Sequence, residues 1–456
     1  MKGKRAEAMK RLTALITALL LLALSCPASA LDKGLPLQEA HKVHLYYIDS
    51  TKDNKSQVRL WQAESALPEV DAEINGIASA FALLYGEDLP AAKNTGDKNS
   101  RLDVEIRYSR TGLTWLSFLV QARTSYHRKL TGQAIASRTY DMTTGERVEL
   151  EDIFPADGEA WSVLAEAVRE QCTASWPDEA PDEAALASLC DPECLRQLDF
   201  TLHGMSLVIH IPAELLYPER FSLIEVTLMY PDIRPLMTGK AQQETDNLSY
   251  YKTCALTFDD GPSRGNTTKV LTSLMKAGSR ATFFVIGNRI ADYTDQVQRE
   301  HDQGHAVAPH NWHHGTVTKS SPSALRAMKG KVDKAMIKAI GLPSTYDRVP
   351  GGLYPRMIEV KAGWAYIQWS VDTYDWRGLS AKKVLSRVQK LVADGDIILC
   401  HDIKDNAPIY AETISNWLAE NGYMMLTIDE LFAKDGVTLE KGHVYFRCAD
   451  GVVTKK

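Results

Sequence analysis

The sequence has no Cys-x-x-Cys pair, no glycine-rich phosphate loop, no nucleotide signature and no stripe of lysine and arginine. The first absence argues against structural zinc of the finger or ribbon type. The second and third argue against a nucleotide enzyme. The last argues against nucleic acid as a partner, because phosphate binding needs a concentrated basic face. Long apolar runs are scarce as well. The run Leu12 to Leu24 falls short of the roughly 20 residues that span a bilayer. It follows a basic start (Lys2, Lys4, Arg5, Lys10, Arg11) and precedes Ala28-Ser29-Ala30, so residues 1–30 read as a cleavable secretory signal. The alternative is an uncleaved segment that anchors the chain to the membrane.

What is present is ordinary globular material: 456 residues, 45% apolar and 24% charged, enough for two or three domains. The net charge is −6. Residues 1–30 carry five basic residues and one acidic residue, a net of +4, so the chain beyond them is at −10. Six cysteines remain after Cys26: Cys172, Cys190, Cys194, Cys254, Cys400 and Cys448. In an oxidising compartment an even number permits disulfides. One bridge is expected among the first three, while Cys254 and Cys400 fall in apolar runs and read as buried strand thiols.

The chain divides in two by pattern. Residues 36–238 mix short strands with helices at Leu67 to Gly86 and Trp161 to Cys172, an α+β unit with no ligand-spaced His, Asp, Glu or Cys. Residues 239–252 are polar and aperiodic, the expected linker. From 253 to 433 apolar runs at 254–258, 281–286, 306–308, 345–350, 366–371, 396–400 and 423–428 alternate with helical stretches, including one at Pro355 to Lys361. That alternation predicts a parallel sheet, and seven repeats suffice to curl it into a distorted (β/α) barrel. The tail 434–456 reads as a hairpin that could cover a barrel edge.

Polar residues gather where the barrel strands end. Asp259-Asp260 closes the first run and Gly261-Pro262 turns the chain away. Adjacent carboxylates are costly to bury together unless a cation separates their roles, so one is read on a metal and its neighbour as free for proton transfer. His310 and His314 share one face if their segment is a helical turn, with His313 as a rival at three-residue spacing. With Asp260 they make a three-ligand N,N,O set with an open position, the arrangement of catalytic zinc. Arg348, Asp372, Asp375 and His401 follow later strands.

In order, these pieces resemble the polysaccharide deacetylase family, the NodB-homology or carbohydrate esterase family 4 fold. The motifs are Thr257-Phe258-Asp259-Asp260-Gly261, His310-Asn311-Trp312-His313-His314, Arg348-Val349-Pro350-Gly351-Gly352, Asp372-Thr373-Tyr374-Asp375-Trp376 and Leu399-Cys400-His401. Asn311 replaces the usual Ser or Thr, and Gly351 replaces the usual aromatic residue. The resemblance implies a hydrolase of linear amide bonds that removes N-acetyl groups from amino sugars. It implies a divalent metal on Asp260, His310 and His314, zinc first, with Co2+, Ni2+ or Mn2+ as alternatives. It makes Asp259 the general base, oriented by Arg348, and His401 the general acid, tuned by Asp375. The backbone N–H of Gly351 is then an oxyanion donor, Trp376 and Leu399 wall the acetyl pocket, and Pro350 and Asp372 complete the substrate-binding set.

Arg138 to Phe154, with its Thr144-Gly145 turn and Asp152-Ile153-Phe154, is similar to an extracytoplasmic domain family. That family also occurs in lysozyme-sensing anti-sigma factors and in some peptidoglycan deacetylases. The two resemblances together imply a secreted or cell-wall deacetylase of peptidoglycan. The alternatives are chitin oligosaccharide, an exopolysaccharide or acetylated xylan as substrate, or a wall-binding, lysozyme-sensing protein whose barrel is incidental.

Overall fold

The strand Lys252–Asp259 is buried from Thr253 to Asp259 on both faces, as its unbroken apolar run requires of a central strand in a parallel sheet. It belongs to a computed structural model that describes residues 33–49, 56–88, 100–127, 129–156, 158–353 and 363–455. On one side it pairs in parallel with Thr282–Val285, which pairs with Ala306–Pro309. On the other it pairs with Asp396–His401, while Tyr423–Met425 pairs with its start on the same side as Thr282–Val285. Tyr346–Asp347 and Ala365–Ile367 continue the sheet. The Arg348 N–H donates to the Pro309 carbonyl at 3.1 Å and brings the two ends together, so the sheet is a nearly closed, distorted barrel. The helices Asn266–Lys276, Thr294–Asp302, Pro322–Ile340, Ala381–Leu391 and Ala407–Glu420 follow the expected order. The helix expected at Pro355 to Lys361 and the signal at 1–30 lie outside the described residues.

The tail does more than cover an edge. Val444–Ala449 enters the sheet, parallel to Ala365–Ile367 and antiparallel to Asp396–His401, with Val452–Lys455 hairpinned on it. Val371–Asp372 pairs with Asp396–His401 further along, at Ile398 and Leu399. A short strand and a tail strand thus share the place of one full strand.

The N-terminal half holds two sheets. One has six strands between His44–Asp49 and Glu146–Arg147 with the helix Pro68–Asp88 packed on it. The other is Phe200–Leu202, Ser206–Pro212 and Leu223–Met229, with the helix Ala160–Ala174 against it. The apolar stretch from 200 to 211 is a hairpin that turns at Gly204. A Cβ there would stand 2.4 Å from Met424 Sδ, so the barrel's approach requires glycine.

Residues 239–252, expected as a linker, form the short helices Gly239–Glu244 and Asn247–Tyr250 and then enter the barrel. Asn247 is 1% exposed; its side chain accepts from the Gly112 N–H and donates to the Gly204 carbonyl. Polar composition here reflects buried hydrogen bonding between the two halves rather than solvation. The expected bridge among Cys172, Cys190 and Cys194 is absent, and the described residues contain no disulfide. Cys172 points into the helix core, Cys190 donates to the Ala165 carbonyl, and Cys194 is exposed. Cys254 and Cys400 are buried strand thiols, as expected.

The halves meet across a charged, buried interface. Arg299 of the barrel helix Thr294–Asp302 pairs with Glu105 and lies 3.6 Å from Asp103. Gln303 donates to Glu105 at 2.9 Å. Asp302 lies 3.5 Å from Arg123 and accepts from Ser222 Oγ and the Leu223 N–H. Burial alone would push Glu105 toward its neutral form, but Arg299, Arg123 and Arg107 outweigh it and lower its pKa.

Candidate active site and metal centre

Every motif residue arrives at the same end of the barrel, where the parallel strands deliver their C-terminal ends. Asp259 is the last residue of its strand, 3% exposed. Asp260 follows in the left-handed region at φ 78°, and this break in the strand lets two consecutive carboxylates face one site. The turned backbone is held from outside: Arg289 Nη1 donates to the Asp260 carbonyl at 2.8 Å and the Ile286 N–H to that of Gly261 at 2.8 Å.

The histidines are placed differently from the expectation. His310 and His314 do not share a helical turn; the segment is a loop that curls through Asn311 at φ 64°. The curl still brings Asp260 Oδ1 to 3.5 Å from His310 Nε2 and 3.1 Å from His314 Nε2. The three ligand atoms lie within 4.8 Å of one another. Tetrahedral ligands about 2.0–2.1 Å from a common cation stand roughly 3.3 Å apart, so these separations fit one. Asp260 Oδ1 is also a buried oxygen with no hydrogen-bond partner. His310 Nδ1 lies 2.7 Å from the Arg348 carbonyl. A carbonyl can only accept, so Nδ1 carries the hydrogen and Nε2 offers a lone pair to the site. Burial lowers the pKa of His310 against the pull of Asp259 and Asp260, which favours that neutral ring. His313 meets Trp312 edge to face and, among the described residues, stands outside the ligand group.

Asp259 is kept from the ligand group by a different partner. Arg348, fully buried, donates from Nη1 to Asp259 Oδ1 at 2.8 Å and to Thr257 Oγ1 at 2.7 Å. Its other nitrogens reach the carbonyls of Ile367 and Gln368, and the guanidinium lies 3.9 Å from the centre of the Phe284 ring. A charge so enclosed is tolerable only with all these partners in place.

Opposite stands a second acid–base pair. His401 Nδ1 is 2.8 Å from Asp375 Oδ1, and the His401 N–H donates to Asp375 Oδ2 at 2.8 Å. Burial disfavours the charged ring, but Asp375, with Asp259 and Asp260 behind it, reverses the balance and raises the His401 pKa. Leu399 is buried and Trp376 is half exposed at the rim. Pro350 is buried, and Gly351 at φ 67° has open space where a side chain would stand. Asp372 turns its carboxylate back to the Tyr374 N–H at 2.9 Å. Sequence reasoning passed over Asp402, Tyr410 and Arg289. Burial, with Asp260 nearby, pushes Asp402 up to about 7; its only sequence signal is adjacency to His401. Tyr410 and Arg289 had none.

The polysaccharide deacetylase family profile matches residues 249–367. A peptidoglycan-N-acetylmuramic acid deacetylase of Bacillus subtilis is 31% identical over 188 residues, which cover 40% of this chain and 71% of that protein. The chain belongs to the polysaccharide deacetylase family. Membership makes it a hydrolase of the carbohydrate deacetylase class. A peptidoglycan-N-acetylglucosamine deacetylase of Listeria monocytogenes is 29% identical over 344 residues, 74% of this chain and 72% of that protein. That match is longer than the 207 residues from 250 to 456, so it takes in part of the N-terminal half. A bifunctional xylanase/deacetylase of Pseudobutyrivibrio xylanivorans is 33% identical over 195 residues, 42% of this chain and 32% of that protein.

Proposed function

We propose that the protein is a secreted, metal-dependent deacetylase that removes N-acetyl groups from the amino sugars of peptidoglycan. The observation that carries the chemistry is the convergence of Asp260 Oδ1, His310 Nε2 and His314 Nε2 between two proton-handling pairs, Asp259–Arg348 and His401–Asp375. Asp260, His310 and His314 would hold a divalent cation, zinc for this donor set, and the bound cation would polarise the acetamide carbonyl and acidify water.

Asp259 takes the proton of the attacking water, with Arg348 fixing its orientation. The Gly351 N–H donates to the oxygen that becomes negative as the carbonyl carbon turns tetrahedral. His401, with Nδ1 committed to Asp375, carries a proton on Nε2 only as the imidazolium, and passes it to the departing amine. The sign follows: the acid form is present below the raised pKa and is lost as pH rises through it. Leu399 and Trp376 enclose the acetyl methyl, with Pro350 and Asp372 shaping the groove beside it. We take residues 253–433, completed by the tail strand Val444–Ala449, as the catalytic unit and 36–238 as an accessory unit.

The polymer is read from the relatives. Two of the three act on peptidoglycan by name, and the Listeria match extends beyond the barrel. The test is purified protein with zinc, incubated in parallel with muropeptides, chitin oligomers and acetylated xylan, with lost acetyl located by fragment mass spectrometry. The expected result is a loss of 42 mass units (approximately, one acetyl exchanged for hydrogen) on an amino sugar of the muropeptides. Loss confined to chitin oligomers or xylan would reassign the polymer.

A further inference from the structure

Tyr410 lies on the helix Ala407–Glu420, 1% exposed, with its ring in the barrel core. A buried phenol needs a partner for its hydroxyl, and this one has two. Its oxygen is 2.6 Å from Asp375 Oδ2 and 2.5 Å from the backbone carbonyl of His401. Both partners are acceptors and the phenol has one hydrogen, which they share, so the hydroxyl bridges the Asp375 carboxylate and the main chain that carries His401.

The division of labour on Asp375 shows what the tie does. Oδ1 accepts from His401 Nδ1 at 2.8 Å, from the Trp376 N–H at 2.9 Å and from Thr373 Oγ1 at 3.3 Å. Oδ2 takes the His401 N–H and Tyr410. Without the phenol, Oδ2 keeps one donor and the carboxylate is freer to rotate about its χ2 bond, whose torsional well is broad. Each donor also draws charge from the carboxylate and weakens its hold on the imidazolium.

We propose that Tyr410 is a positioning residue for His401, holding Asp375 Oδ1 on the imidazole Nδ1 and keeping the Nε2 proton transferable. The proposal rests on the reading of His401 as general acid. The other groups that bear on the ring are Asp259 and Asp260 at the end of the strand Lys252–Asp259, and Asp402 beside His401 in the chain. None of them changes in the test.

The experiment compares Tyr410→Phe, 3-fluorotyrosine installed at position 410, and His401→Gln with the wild type on one acetylated glycan, following kcat and KM against pH. Tyr410→Phe should lower kcat about tenfold and leave KM within about twofold. It should move the alkaline limb of kcat upward by about half a pH unit, because Asp375 loses a donor and grips the imidazolium harder. Fluorotyrosine has the native shape and is a better donor, so it should move the limb downward. Opposed shifts would be hard to obtain from a packing defect. Unchanged kcat and limb in the folded variants, or a rise in KM with the limb fixed, would overturn the positioning role while leaving His401 as the acid. Full activity in His401→Gln would overturn the acid assignment and this proposal with it.

Discussion

Asp259→Asn should lower kcat by a factor of about 10²–10⁴, the usual contribution of a positioned general base, while the protein still binds its metal. The carboxamide keeps the shape of the side chain but cannot take the water's proton. The ligand set Asp260, His310 and His314 is untouched, so zinc content by elemental analysis should match the wild type. The substitution also leaves the buried Arg348 guanidinium without its carboxylate, although Thr257 and two carbonyls still receive its hydrogens. A lowered Tm is therefore expected beside the lost turnover. Equal loss of zinc and activity would instead place Asp259 among the ligands. The geometry speaks against that, since Oδ1 is taken by Arg348 at 2.8 Å.

The second large effect is on stability and lies far from the chemistry. Arg299→Ala should cost about 3–5 kcal/mol, because it leaves Glu105, 2% exposed, as a buried charge without its main partner. The exposed pair Lys33–Asp450 is the control. It spans the same two halves, and its removal should cost no more than about 1 kcal/mol. Urea or thermal denaturation followed by circular dichroism distinguishes the two. An Arg299→Ala protein as stable as the control would mean that the halves are held by apolar packing alone. Residues 250–456 expressed alone would expose Arg299, Asp302 and Gln303, which are buried against the other half in the full chain. Activity of that fragment bears on whether the N-terminal half only presents glycan or also completes the fold.

The site was more legible in the sequence than the interface was. Asp259-Asp260, His310, His314, Arg348, Asp375 and His401 stand at strand ends, where few other reasons exist for such residues to gather. Strand–helix alternation predicts a parallel sheet, and a parallel sheet gathers the C-terminal ends of its strands on one side. The spacing of His310 and His314 was right for the wrong local structure, since a left-handed Asn311 does in a loop what one helical turn would have done. By contrast, Arg299-Glu300-His301-Asp302 reads as a solvated helix end, yet all four residues are buried. The partners of Arg299 and Asp302, namely Glu105, Asp103, Arg123 and Ser222, are 80–196 positions earlier in the chain, and no local pattern records such pairing. The tail hairpin was legible, but its insertion into the sheet was not, for a related reason. Val444–Ala449 has the signature of any short strand, and only the gap beside Ala365–Ile367 makes it part of the barrel. Tyr410 looks like one more apolar position on an amphipathic helix, because burial hides which end of a tyrosine matters.

The measurement that tests the central claim most directly is zinc stoichiometry together with deacetylation, on the wild type and on His310→Ala, each stripped with chelator and titrated with zinc. The account predicts that wild-type activity is absent after stripping and returns in proportion to zinc, saturating near one ion per chain. His310→Ala should need far more zinc and stay nearly inactive when loaded. Full activity of the stripped wild type, or a His310→Ala protein that binds zinc and turns over like the wild type, would contradict it.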